Sequence, residues 1–130
     1  MLVGGAWVGA WTEAELADIG GANELLIAPE RRDGTLQRSR IVWVVRHGDE
    51  VFVRSVNGPG GAWFRGLQAR HAGHVSAGAV DADVLFEDAD HGLDDEIDEE
   101  YRRKYGRSST AVDRITSRDA RSTTVRFVRT

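Results

Sequence analysis

The chain has 130 residues, of which 41% are hydrophobic and 29% charged, and it carries a formal net charge of −4 and no cysteine. This composition is ordinary for a globular domain, excludes disulfides and thiolate metal sites, and argues against a nucleic-acid-binding surface, which needs a basic footprint. No apolar stretch approaches the roughly 20 residues of a membrane span, and Met1–Trp7 lack the basic start of a signal peptide. We therefore expect one cytoplasmic domain over residues 1–130. We expect this domain to bind neither nucleic acid nor a membrane.

The first predicted elements are a helix and a strand. Thr12 and Glu15 have the spacing of a capping box and predict a helix that ends at Gly20-Gly21. The apolar run Leu25–Ala28, closed by a proline, predicts the first strand. Asp33-Gly34 marks a turn after it.

A hairpin follows. The β-branched run Ile41–Val45 predicts a strand that is covered on both faces. A tight turn over 47–50 leads to the return strand Val51–Val56. Because strand side chains alternate, Arg54 shares a face with Phe52 and Val56, an unusual position for a surface charge.

Glycine and proline interrupt the pattern over Asn57–Gly61. A short helix is predicted from Ala62 to about Arg70, with Trp63, Leu67 and Arg70 on one side. Two strands are predicted next, His74–Ala79 and Asp83–Phe86, joined by a polar turn over 80–82.

The clearest predicted helix is Asp94–Arg107. Its apolar stripe recurs every four residues, at Leu93, Ile97, Tyr101 and Tyr105. Its first half is acidic and its second half basic, which suits the helix dipole. The spacing predicts three ion pairs, Asp98–Arg102, Glu99–Arg103 and Glu100–Lys104.

A helical stretch over Ala111–Ala120 and a last strand over Thr123–Val128 complete the order. Hairpins separated by helices indicate an α+β fold. A mostly antiparallel sheet of about six strands tends to curl and close, which protects its edges. We therefore predict a β-barrel with flanking helices.

Several segments resemble an uncharacterised actinobacterial family of small proteins, itself similar to the split barrels of deazaflavin-dependent nitroreductase-like and pyridoxamine-phosphate-oxidase-like proteins. The resemblance covers nearly the whole chain from Trp11 and rests on these segments: 41–45, 53–55, 63–65, 74–78, 101–106 and 123–127. It implies a split β-barrel of about six strands. It also implies a glycine-containing loop near the phosphate of a flavin or deazaflavin.

The stretch Ser55–Leu67 matches the loop, aromatic pair and short helix of those barrels. The resemblance implies that the cofactor would be FMN or a deazaflavin. The predicted cofactor-binding residues are Arg38, Arg40, Arg54, Ser55, Gly60, Gly61 and Trp63. This chain departs from the pattern in two places, with Gly66 where the relatives usually carry Asn and with 32–35 where they carry a basic segment.

The residues themselves leave alternatives open. The loop glycines are also what a turn needs for its dihedral angles. Trp63 and Trp43 suit either the side of a planar ligand or the protein core. The dense motif of Tyr101, Lys104 and Tyr105 suits a site, but the apolar stripe and the pairing of Lys104 explain it structurally.

Two patterns of possible metal ligands are weak, and we predict no metal site. His71, His74, Asp81 and Asp83 span a helix end, a loop and a strand, so nothing in the sequence forces them to converge. The acidic stretch that begins at Asp88 lacks the glycine that a calcium loop needs at its sixth position.

The sequence supports three candidate functions. The first is a small oxidoreductase with a flavin or deazaflavin bound in the groove of a homodimer. The second is a cofactor-free barrel that binds or acts on a small molecule, which the two departures at Gly66 and 32–35 motivate. The third is a homodimer without catalysis, since exposed strands of such barrels pair across a two-fold axis.

Overall fold

The computed structural model describes residues 11–130, and the prediction for Met1–Trp7 lies outside them. The strands are β1 Leu25–Pro29, β2 Arg40–Val42, β3 Val44–His47, β4 Glu50–Val53, β5 Ala72–Ala77, β6 Val80–Asp88 and β7 Val125–Arg129. The helices are α1 Glu13–Gly21, α2 Ala62–Leu67, α3 Asp94–Tyr105, α4 Thr110–Ile115 and α5 Arg118–Arg121. Single 3₁₀ turns occupy Gly58–Gly60 and His91–Leu93.

The strands form an antiparallel sheet in the order β2-β1-β5-β6-β7-β4-β3. Its two end strands, β2 and β3, are consecutive in the chain and separated by Trp43 alone. One bent segment therefore pairs with β1 through its first half and with β4 through its second half, which nearly closes the sheet into a barrel. The predicted α+β split barrel with flanking helices is confirmed.

The bend at Trp43 corrects the prediction of a continuous strand covered on both faces. Ile41 is 62% exposed, whereas Val44 and Val45 are buried. Two side chains of α3 bind the backbone of Val44. Lys104 Nζ donates to the Val44 carbonyl at 2.7 Å, and the Val44 N–H donates to the Tyr105 hydroxyl at 3.3 Å. A local run of β-branched residues does not reveal these long-range partners.

The core has two parts on opposite faces of the hairpin β3–β4. Val51 and Val53 face the barrel interior and belong to a core cluster that includes residues of the other six strands. Val45 and Phe52 face outward and pack against Ile97, Tyr101 and Ile115. The alternation predicted for the return strand is therefore present, and it attaches α3 to the outside of the barrel.

The apolar periodicities located the helices correctly. Thr12 and Glu15 form both hydrogen bonds of the capping box at the start of α1. Helix α2 has Trp63 and Leu67 on one side as predicted, and both are buried, but it ends at Leu67, three residues early. The predicted helix over 111–120 is two short helices, each capped by a serine, Ser109 and Ser117.

The three ion pairs predicted along α3 are wrong, because their members have other partners, as Glu99 has in Arg107. Asp98 pairs with Arg54, Lys104 donates to a backbone carbonyl, and Glu100 pairs with His47 and Arg103. Exposed i,i+4 pairs contribute only about 0.3–0.5 kcal/mol, so tertiary partners displace them easily.

The turn of the second hairpin lies two residues earlier than predicted. Strand β6 already begins at Val80, and Gly78 in the turn has a φ of +58°, which favours glycine. Among residues 11–130, no helix has both the length and the apolar character needed to cross a membrane.

Candidate functional site

A groove of about 410 Å³ opens beside the bend of the barrel. Strand β2 and Trp43 form one side, the segment after β4 and the start of α2 form another, and α4 forms a third. The residues that line it are Glu24, Arg40, Ile41, Val42, Trp43, Arg54, Ser55, Val56, Asn57, Gly61, Ala62, Trp63, Ala111, Arg114 and Ile115.

Five of the seven residues predicted to bind a cofactor line this one groove. They are Arg40, Arg54, Ser55, Gly61 and Trp63. Arg38 and Gly60 are exposed and do not line it. The structure thus brings together residues from β2, from the segment after β4 and from α2, which are up to 23 positions apart in the chain.

Ser55 and Gly61 meet at the base of the glycine loop. The Ser55 N–H donates to Thr123 Oγ1 at 2.8 Å, and its carbonyl accepts from the Gly58 N–H at 2.9 Å. A Cβ on Gly61 would stand 2.1 Å from Ser55 Oγ. A side chain at position 61 would therefore force Ser55 Oγ to move, and the Ser55 hydroxyl is free of hydrogen bonds to residues 11–130.

The two tryptophans of the groove are placed differently. Trp63 is only 8% exposed and also belongs to the barrel core, with its ring 6.0 Å from the Phe64 ring in an edge contact. Trp43 is half-buried and stacks on Tyr105 with ring centroids 4.0 Å apart and an interplanar angle of 4°. Both indoles therefore have fixed orientations before any ligand binds.

Arg54 lines the groove, but its guanidinium already donates hydrogen bonds to other groups of the protein. The side chain is 0% exposed, and Nη1 donates to Asp98 Oδ1 at 2.5 Å and to the Ile115 carbonyl at 3.1 Å. Its Nε donates to Thr124 Oγ1 at 2.9 Å, and Nη2 donates to the Asp94 carbonyl at 3.1 Å. Four of the five guanidinium N–H groups thus have protein acceptors.

Two polar lining residues, Glu24 and Arg114, were not predicted from the sequence, whereas Asn57 begins the loop Asn57–Gly61 that the sequence singled out. Arg114 is exposed, and its Nη2 donates to Asn57 Oδ1 at 2.8 Å, so the two side chains join α4 to the loop. Arg114 sits in a segment of ordinary polar composition. Only the packing of α4 against the barrel brings Arg114 to the groove, and no local pattern signals that packing.

The charges of the groove are opposite to those of the chain as a whole. Three arginines and one glutamate line it, although the formal net charge of the chain is −4. Of the arginines, Arg40 and Arg114 are exposed, whereas Arg54 is neutralised by Asp98. Exposed guanidiniums beside aromatic walls suit a planar ligand with an anionic group.

The two departures from the resembled pattern have local explanations. A Cβ on Gly66 would stand 2.5 Å from Gln37 Oε1, and Gln37 Nε2 donates to the Gly66 carbonyl at 3.0 Å. A side chain at position 66 would therefore displace Gln37. The segment over 32–35 is a self-contained turn in which Asp33 Oδ1 accepts from the Thr35 N–H at 3.0 Å, and it does not line the groove.

Tyr101, Lys104 and Tyr105 join α3 to the barrel. Tyr105 donates to the Asn23 carbonyl at 2.7 Å, and burial raises the pKa of its hydroxyl to about 12. Tyr101 is fully buried beneath the Arg54 guanidinium, 5.5 Å from its ring centroid, and burial raises the pKa of its phenol. The Tyr101 hydroxyl has no hydrogen-bond partner among residues 11–130.

The four candidate metal ligands separate into two groups. His74 Nδ1 lies 2.8 Å from Asp83 Oδ1, and its Nε2 contacts Asp81, so three of the four meet on β5 and β6. No hydrogen bond or ion pair joins His71 to them within residues 11–130. The hydrogen bonds to Asp83 and Asp81 raise the pKa of His74, which favours the imidazolium and not the neutral imidazole that binds metals.

Solved structures with the same fold were found. One is an F420 reductase, 17% identical over 92% of this chain and 94% of that chain, with a TM-score of 0.60. Another is the conserved hypothetical protein Rv2991 from Mycobacterium tuberculosis, 12% identical over 94% of this chain and 81% of that chain, with a TM-score of 0.56. No curated protein matches the chain. The model of one bacterial family matches residues 15–127, and the chain belongs to that family, which is described as an uncharacterized protein conserved in bacteria (DUF2255).

Proposed function

We propose that the groove binds a deazaflavin or a flavin and that the protein is a small oxidoreductase. The observation that carries this proposal is the groove itself, where two oriented indoles and two exposed arginines converge on an otherwise acidic chain. The similarity of fold to a protein named an F420 reductase supports a deazaflavin over FMN.

The residues fit such a cofactor in size and chemistry. A volume of about 410 Å³ lies within the range of about 300–1,000 Å³ that is usual for ligand sites. Trp63 and Trp43 would orient a planar ring, and Arg40 and Arg114 would hold an anionic group. The cofactor would supply hydride transfer, while the chain binds it, orients it and excludes water.

Within this proposal the predicted site residues have unequal roles. Arg40, Ser55 and Trp63 would touch the ligand, and Gly61 would let the loop approach Ser55 closely. Arg54 would act as a positioning residue, because its guanidinium already binds Asp98. For Arg38 and Gly60, which lie outside the groove, contact with a cofactor remains a prediction.

The test is a titration of the purified protein with a deazaflavin of the F420 type and with FMN. Cofactor absorbance and quenching of tryptophan fluorescence report binding. We expect Arg40→Gln to weaken deazaflavin binding about tenfold, the loss of one charge-assisted hydrogen bond. Arg65→Gln, an exposed arginine on α2 outside the groove, is the matched control. Absence of binding by both cofactors at millimolar concentration would refute the proposal.

A second candidate function is binding of a small molecule without a cofactor. The contacts of Arg54 favour it, because this buried guanidinium of the groove already binds Asp98 and Ile115 and is not available to a phosphate. In that case both titrations fail, while the groove still binds small aromatic acids with a dependence on Arg40. The cytoplasmic location, the actinobacterial origin and the single domain over 1–130 remain predictions.

We also propose that the protein is a homodimer. Leu26 and Ile41 are directly opposite each other on β1 and β2, and they are 43% and 62% exposed. Ile41 and Val56, which is 39% exposed, also line the groove, so the exposed apolar side chains extend from the groove onto β1. Light scattering should give twice the mass of the chain, and Ile41→Glu should lower it. Leu85→Glu, at a side chain 46% exposed on β6, is the control. A monomeric mass for the unsubstituted protein would contradict the dimer.

A further inference from the structure

A second cleft, of about 300 Å³, lies between α1, β3 and α3. It shares no lining residue with the groove described above. Its lining residues are Leu16, Ala17, Gly20, Val45, Arg46, Glu100, Arg103 and Lys104. Small or apolar residues thus form half of the lining, and charged residues form the rest.

Lys104 in this cleft is the only lysine of the chain, which has sixteen arginines. An arginine stays protonated under all ordinary conditions, whereas a lysine loses its proton readily when it is partly buried. Lys104 is half-buried. It is therefore the one basic side chain of the protein that can present a neutral amine near physiological pH.

No neighbouring carboxylate of the described residues stabilises the positive charge of Lys104. No carboxylate oxygen lies within 4 Å of Nζ in the described part of the chain. Glu100, one helical turn earlier, is drawn away to His47 at 2.8 Å and to Arg103 at 2.5 Å. The other charged groups that line the cleft, Arg46 and Arg103, are cations.

The amine is held in place by one backbone contact. Nζ donates to the Val44 carbonyl at 2.7 Å and lies 5.2 Å from the centre of the Tyr105 ring. A neutral amine keeps one N–H for this hydrogen bond and retains its lone pair. Burial lowers the pKa of Lys104 to about 8, so a substantial fraction is neutral at pH 8.

We propose that Lys104 is a reactive amine that condenses with small oxo-acids bound in this cleft. The neutral amine attacks the carbonyl carbon and forms a C–N bond, and the carbonyl oxygen leaves as water, giving an imine without any further reactant. One amine hydrogen moves to the carbonyl oxygen when the carbinolamine forms. The second leaves the nitrogen when that oxygen departs, so both hydrogens of the water come from the amine.

The neighbouring arginines indicate that the carbonyl compound is an anion. Arg46 already binds Glu13 through two contacts of 2.9 Å, so it has little capacity for a ligand. The side chain of Arg103 is 63% exposed and has one carboxylate partner, Glu100. Arg103 therefore has N–H groups available for the carboxylate of an oxo-acid, one residue before the amine.

The first test traps the imine. The intact protein and the chain unfolded in urea are incubated at pH 8 with glyoxylate and cyanoborohydride, which reduces an imine to a stable secondary amine. Peptide mass mapping separates Lys104 from the terminal amine. We expect Lys104 to react on the order of a hundredfold faster in the folded protein, because at pH 8 roughly half of its amine is neutral there, against less than about one per cent in the unfolded chain. Equal or slower labelling in the folded protein would overturn the proposal. Because this comparison uses the unsubstituted chain, it does not depend on the stability of any variant.

The second test addresses the ligand class. Arg103→Gln should slow labelling by glyoxylate about fivefold, the size of effect expected when one exposed cation no longer attracts an anion. It should leave labelling by neutral acetaldehyde unchanged. Arg107→Gln is the matched control, because this arginine pairs with Glu99 and does not line the cleft. Equal effects of Arg103→Gln on both aldehydes would overturn the assignment of an anionic ligand.

Discussion

Replacement of Arg54 by methionine is the most informative perturbation of this fold. The change keeps a long apolar stem but removes a cation that is 0% exposed and makes four hydrogen bonds. Asp98, 7% exposed at its side chain, would keep only Arg121, whose Nε lies 3.4 Å from its Oδ2. Removal of one partner from a buried pair typically costs about 3–5 kcal/mol. We expect a loss near the lower limit, about 3 kcal/mol, because Arg121 remains.

The assay is urea unfolding followed by the fluorescence of the tryptophans. A domain of this size has about 5–15 kcal/mol of stability, so Arg54→Met should remain folded in water and unfold at a lower urea concentration. A double-mutant cycle with Asp98→Leu isolates the pair, since the double variant buries no unpaired charge. We expect the double variant to be more stable than the sum of the single changes by about 2 kcal/mol. Arg38→Met, at an exposed side chain, should change stability by less than about 0.5 kcal/mol.

A loss below about 1 kcal/mol for Arg54→Met, in the range of a surface ion pair, would refute this reasoning. If that small loss came with failure to bind a cofactor, Arg54 would be a ligand-binding residue, as the sequence pattern suggested. If stability falls as expected and cofactor affinity falls only in proportion to the unfolded fraction, Arg54 supports the wall of the groove.

The remaining predictions concern a histidine, a glycine and a lysine. The hydrogen bonds to Asp83 and Asp81 raise the pKa of His74 above 6.5. Protonated His74 should therefore stabilise the folded protein by about 0.5 kcal/mol, the value for an exposed pair, fully below pH 6.5 and no longer once the pH has risen through the folded pKa. NMR titration and comparison with His74→Asn check this. Gly61→Ala should cost about 1 kcal/mol in urea unfolding, because Ser55 Oγ must move, whereas Gly60→Ala meets open space and should not. Burial lowers the pKa of Lys104 from 10.5 to about 8, so the unfolded chain binds more protons between these values and stability should rise with pH there, an effect that Lys104→Met should abolish.

Local patterns in the sequence were sufficient to predict most of the elements. The alternation of Val51, Phe52 and Val53 correctly separated the two faces of the return strand, although both faces are apolar and the pattern does not say which one lies inside the barrel. The stripe through Ile97 and Tyr101 correctly identified the buried face of α3. Both patterns work because burial of apolar area dominates the stability of these elements and follows the period of each backbone.

Polar partners could not be predicted in the same way. Arg54 was recognised as unusual from its apolar neighbours, but its acceptors on Asp98, Thr124 and Ile115 are 44, 70 and 61 positions away. The spacing along α3 instead suggested local ion pairs of small energy. A buried charge requires its partner far more strongly than an exposed one does, and topology alone determines which residue becomes that partner.

Helix α3 connects the shape of the barrel with the shape of the groove. Its Asp98 holds Arg54 after β4, and its Tyr105 stacks on Trp43 at the bend between β2 and β3. Trp43 and Arg54 both line the groove, Trp43 on the side of β2 and Arg54 on the side of the segment after β4. One rigid helix of 12 residues therefore sets the distance between the two walls. Since interiors are close-packed, a change on α3 that shifts either contact is expected to alter ligand binding without touching the ligand.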